Sequence, residues 1–140
     1  MQSFLLSDEL KSYIGIAPQS VSGASAINGT GIDREYQNEG FNAVLLALNV
    51  GAVSGTPTSF TLTVKLQDSA DNSTFADFGT LTVVGIAAST IYQLAIDIRG
   101  ARRYVRAVLT PAFTGGTSPA ALADVVVVAG RASVKPAASY

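Results

Sequence analysis

Between Ser59 and Phe78 the chain reads SFTLTVKLQDSADNSTFADF. Phe60, Leu62, Val64 and Leu66 alternate with Thr61, Thr63, Lys65 and Gln67. A period of two sends one set of side chains to a core and the other to water, so the segment predicts an amphipathic strand. The pattern breaks at Asp68-Ser69-Ala70-Asp71-Asn72-Ser73, whose short polar side chains bond their own backbone and favour a turn. Phe75 and Phe78 follow and can fold back onto the core.

Other segments repeat the theme. Phe41 to Val50, FNAVLLALNV, is apolar on both parities, which suits a strand buried on both faces or a piece of helix; Asn42 and the Asn49–Gly51 ending favour a central strand. Gly79 to Val84 and Ile91 to Arg99 alternate again, the latter with Tyr92, Leu94, Ile96 and Ile98 on one side. Gly100-Ala101 then turns the chain into Arg102 to Thr110, the signature of a hairpin. Ala120 to Gly130, rich in valine, predicts a closing strand. Gly51–Ser59, Gly85–Ser89 and Pro111–Pro119 read as loops.

The ends are less regular. Met1 to Gln19 reads as an arm, with Ser7 capping a short helix over Asp8–Ser12 and Pro18 stopping regular structure. Phe4, Leu5, Leu6, Tyr13, Ile14 and Ile16 are too many apolar groups for a free tail, so the arm packs on its own domain or on a neighbour. Val21 to Ile32 predicts a thin strand with Ala24, Ala26 and Ile32 inward, and Arg34–Gly40 a polar connection. Arg131 to Tyr140 is a second loose end, since Pro136 argues against a central strand. The sum is seven or eight strands with turn signals about every 8–12 residues and no long helix. The predicted fold is all-β, a jelly roll or antiparallel β-sandwich of about eight strands. An arm spans 1–20, the sandwich 21–132 and a tail 133–140.

Composition narrows the function. The chain of 140 residues is 48% apolar and 14% charged. A soluble surface designed to stand alone carries roughly a quarter to a third charged residues. The shortfall predicts that part of this surface is covered by another protein. The net charge of −1 supplies no field toward nucleic acid or an anionic membrane. With no cysteine and no histidine, disulfides, thiolate sites, Ser-His-Asp triads and most zinc sites are excluded. The N-terminal run has no basic region, and no apolar run approaches the ~20 residues of a membrane helix. The expectation is a protein without a visible export signal, made in the cytoplasm.

Two clusters carry candidate chemistry. Asp68, Asp71, Asn72 and Asp77 are oxygen ligands close in sequence, as calcium uses. Their spacing does not match an EF-hand loop, and an Asx-bonded turn explains them. Arg99, Arg102, Arg103 and Arg106 gather around one predicted turn. Such a cluster can hold phosphate. Only Tyr104 stands beside it, however, and planar guanidinium groups fit carboxylates, either Asp97 and Asp33 or those of a protein partner. Gly29-Thr30-Gly31 and Gly115-Gly116 lack the lysine and helix of a phosphate loop. No acid pair stands out among the ten acids, so no catalytic, cofactor or metal residue is assigned.

The run VKLQDSADNSTFADF, the strand RGARRYVRAVL and the valine-rich final strand together resemble small tailed-phage virion proteins. Over about Gly29 to Arg131 the chain is similar to capsid cement (decoration) proteins of the kind known from Bordetella-type phages. The resemblance implies a jelly roll on the outer surface of the virion, often dimeric, that clamps neighbouring major capsid protein subunits. It implies no catalytic residue, nucleic acid or membrane. The residues expected to meet a partner are Phe4, Leu5, Leu6, Tyr13, Arg99, Arg102, Arg103, Arg106 and Tyr140. The turn motif also occurs in carbohydrate-binding sandwiches, so a glycan-binding module of a tail or fibre is the alternative. The absence of Trp and the scatter of five Tyr argue against the stacking platforms it would need.

Overall fold

The computed structural model describes residues 10–34 and 41–130. They form β1 (Leu10–Ser22), β2 (Ile27–Asn28), β3 (Ile32–Asp33), β4 (Ala43–Ser54), β5 (Ser59–Ser69), β6 (Ala76–Gly85), β7 (Thr90–Asp97), β8 (Tyr104–Thr114) and β9 (Ala120–Gly130). One sheet has the order β1-β9-β4-β7; the other has β2-β8-β5-β6, with β3 also on β8. All pairings are antiparallel. The chain changes sheet at most connections and stays in one sheet only at β2–β3 and β5–β6. This is a β-sandwich with jelly-roll strand order.

The alternating residues fill the space between the sheets. Leu46 and Leu48 of β4, Leu62, Val64 and Leu66 of β5, Leu109 of β8, and Val125 and Val127 of β9 are fully buried. Removing such side chains from water is the main force holding two facing sheets together. Phe78 packs against this core as expected, while Phe75 lies under the Arg106 guanidinium, 4.1 Å from its ring centre.

Several expectations change. Leu10–Ser12, expected to be helical, open the long strand β1, because pairing along valine-rich β9 outweighs the local cap signal. Asp8 and Glu9 lie outside the described residues. Pro18 does not stop the strand. It sits on an edge strand, within the register irregularity between Ile16 and Gln19, where a missing N–H is tolerated. The segment expected as an arm therefore belongs, from Leu10 onward, to the first sheet. Ala24 and Ala26 are exposed, whereas Ile32 is buried. β4 continues to Ser54, beyond the expected loop start at Gly51. β8 runs through Pro111 to Thr114, because β2 ends opposite Leu109 and leaves Pro111 without a neighbour on that side.

The hairpin expected at Gly100-Ala101 is absent. β7 pairs with β4 in the first sheet and β8 with β5 in the second, so the link crosses between sheets. Ile98 and Ala101 are buried at the crossing, and the Ala101 N–H donates to the Ile98 carbonyl at 3.0 Å. The link between β2 and β3 ties the sheets at another side. The Gly29 N–H donates to the Ala107 carbonyl of β8 at 2.8 Å, and the Thr30 N–H donates to the Gly15 carbonyl of β1 at 3.0 Å.

Candidate interaction surfaces

The acidic turn and the arginine strand meet at one corner. The β5–β8 register pairs Gln67 with Arg106, Asp68 with Val105 and Ser69 with Tyr104. Asp68 is buried there, and its carboxylate accepts from the Arg102 backbone N–H and from Nη2, each at 3.0 Å. Burial pushes the Asp68 carboxyl up, but the bonds from Arg102 outweigh it and hold the group below its ordinary value. Arg103 makes a forked contact with Asp33, at 3.0 and 2.8 Å. Arg99 pairs with Asp97 at 2.6 Å. Arg106 donates from Nε to the Gln67 side-chain oxygen at 2.9 Å. Gln67 in turn donates to Asp77, which also pairs with Lys65 at 3.0 Å. The expected partners Asp97 and Asp33 are thus engaged. Asp68 was not foreseen as the partner of Arg102, because strand register rather than sequence proximity brings them together.

The turn itself is built on Asp71. Its Oδ1 accepts from the Thr74 N–H at 2.9 Å, the Ser69 hydroxyl at 2.8 Å and the Ser73 N–H at 2.9 Å. These bonds to the ionised form, the one from Thr74 foremost, hold the carboxyl down at about 2. Asn72 takes a positive φ of 59°, a conformation asparagine tolerates in turns. Among the described residues no group of three or more ligating side chains gathers to hold a metal.

The depressed carboxyl sets the acid response. A group whose folded value lies below its unfolded value stabilises the fold above the unfolded value, and that contribution is lost as pH falls through the folded one. Asp68, Asp77 and Asp97 are displaced in the same direction. The melting temperature should therefore be level from about pH 7 to 5 and fall between about pH 4 and 2. The Asp71→Ala variant should show a shallower fall. Thermal melts followed by circular dichroism test this, and a melting temperature that rises on acidification below pH 4 contradicts it.

Of the residues expected to meet a partner, the structure brings Arg102, Arg103 and Arg106 to this corner, with Arg99 on the preceding connection. All four guanidinium groups bond within the chain. Tyr13 lies apart on β1, edge-on to Phe41 with ring centres 6.4 Å apart. Phe4, Leu5, Leu6 and Tyr140 lie outside the described residues.

A second surface was misread. The run Phe41–Val50, apolar on both parities, predicted a central strand buried on both faces, and Ala120–Gly130 a closing strand. Only one parity faces the core. The other forms the outer face of the first sheet, where the register aligns Ile14, Val126, Ala47 and Gln93 in one row. Ser12, Val128, Leu45 and Ala95 form the next. Ile14 is 64% exposed, Ile91 63% and Leu122 53%. The charged groups on the outward positions of β9, β4 and β7 are Asp97 at one corner and Asp124 toward the other end. A shallow depression lined by Leu10, Leu45, Ala95 and Val128 lies toward the end that carries Asp97. The missing signal was coverage: a doubly apolar strand needs two covering layers, and this fold supplies one.

No protein-family model matches the chain, and no curated protein matches it.

Proposed function

We propose that the protein is a structural virion protein, a capsid cement that binds the outer surface of a phage head and clamps neighbouring major capsid protein subunits. The observation that carries this reading is the outer face of the first sheet, where the outward positions of β4 and β9 are mostly valine, leucine and alanine, with Ile14 and Ile91 on the flanking strands. Contiguous apolar surface of this kind marks a face that another protein covers. Four strands about 4.8 Å apart and some ten residues long at about 3.3 Å each give roughly 600 Å². That approaches the ~800 Å² per partner of a standard interface. The low overall charge and the sequence resemblance point the same way. The arginine corner, internally paired, supports a rigid scaffold more than a free cationic patch. Phe4, Leu5, Leu6 and Tyr140 are further proposed contacts, and a second copy of the chain is a further proposed partner for apolar surface that the shell leaves open.

The exposed large apolar side chains among the described residues are aliphatic, which gives the glycan-binding alternative no stacking platform. Co-sedimentation with undecorated heads of the phage that encodes the chain tests the proposal. Binding to assembled heads should exceed binding to free capsid subunits at least tenfold, because a clamp needs two neighbouring subunits at once. Equal binding to both, or to neither, overturns it.

A further inference from the structure

One end of the outer face is not uniformly apolar. A groove of about 340 Å³ lies between β1, β9 and β4, walled by Pro18, Leu122 and Gly51 and bearing Gln19, Asn49 and Asp124. Its volume is at the small end of ligand pockets, which span about 300–1,000 Å³. Asn49 and Asp124 are register partners on adjacent strands. Asp124 Oδ1 is withdrawn from solvent and accepts no hydrogen bond from a described residue. The Gln19 side-chain N–H donates to the Ala17 carbonyl at 3.1 Å, which leaves its oxygen as an acceptor. No basic residue lines the groove.

These features fit one kind of occupant. The carboxylate has already lost water on one side, so a cation reaching its other oxygen strips less water than it would at an ordinary surface carboxylate. The amide oxygens of Gln19 and Asn49 add acceptors. Pro18 and Leu122 offer apolar surface for a methylene stem, the way lysine and arginine lie along apolar walls. We propose that the groove is a socket for a lysine or arginine side chain projecting from the protein that docks on this face. The inference rests on the reading that the face is covered by a partner, and it adds the chemistry of one anchoring contact.

The probes are n-butylammonium and n-propylguanidinium, with n-butanol as the neutral control. Each is titrated into the ¹⁵N-labelled chain and followed by amide chemical shifts. Saturable shifts are expected at Gly51, Leu122, Ala123 and Asp124, with Kd of about 1–10 mM, as befits ligands of a few heavy atoms. Unequal affinities of the two cations tell a lysine socket from an arginine one. The near-isosteric Asp124→Asn variant should keep the dispersed spectrum and bind the cations at least tenfold more weakly. Absence of saturation below about 100 mM, equal shifts with n-butanol, or unchanged binding by Asp124→Asn overturns the socket. A chain that takes n-butylammonium but does not bind phage heads overturns the capsid reading alone. A chain that binds heads but not the cations overturns the socket alone.

Discussion

Gly29→Ala is expected to lower stability by about 3–5 kcal/mol, while Gly100→Ala changes it by less than about 0.5 kcal/mol. A Cβ on Gly29 would stand 2.5 Å from the Gly15 carbonyl oxygen and 2.6 Å from that of Ala107. Neither oxygen can move freely. The Gly15 carbonyl accepts from the Thr30 N–H and the Ala107 carbonyl from the Gly29 N–H itself, and both belong to paired strands. Relief must therefore pull the β2–β3 link away from β1 and β8 together. Overpacking costs about 1–3 kcal/mol, and two weakened backbone bonds add about 1 kcal/mol each. Domains of this size have only about 5–15 kcal/mol in total. A Cβ on Gly100 meets nothing within 4 Å. Urea unfolding followed by circular dichroism measures both variants, and a Gly29→Ala protein within 1 kcal/mol of the parent refutes the tie between the sheets.

The second large effect is on the proposed attachment to phage heads. The double variant Leu45→Lys/Val126→Lys should bind phage heads at least 100-fold more weakly and still fold. Leu45 and Val126 point outward from the two central strands, on adjacent rows of the apolar face. In the free protein the lysine ammonium groups reach water and their stems lie along the sheet. In a closed interface each must be desolvated without a partner, which costs several kcal/mol. A factor of 100 needs only about 2.7 kcal/mol. Thr80→Lys, exposed on β6 of the other sheet, should leave attachment unchanged. Undiminished binding by the double variant would remove the face from the interface.

The strands were legible wherever one parity is apolar and the other polar. β5 and β7 were read closely from Phe60–Leu66 and Tyr92–Ile98, because alternation reports directly which side chains lack water. Alternation does not report which strand lies alongside. Ile91–Arg99 and Arg102–Thr110 therefore looked like a hairpin, although they lie in different sheets. Pro18 and Pro111 looked like stops for a related reason: proline ends a strand only where its neighbour needs the missing N–H, and neighbours are set by the fold. The carboxylates beside Arg99 and Arg103 were foreseen, but Asp68 reached Arg102 only through the β5–β8 register.

The order of amino acids by itself determined an all-β chain with an aliphatic core, an Asx-bonded turn at Asp71 and no histidine or cysteine chemistry. Which sheet each strand joins, and which half of the doubly apolar β4 and β9 runs is left facing outward, was decided only by tertiary structure. The reason is physical. Side-chain periodicity is a property of one strand, whereas burial depends on how many layers the whole chain can place above and below it.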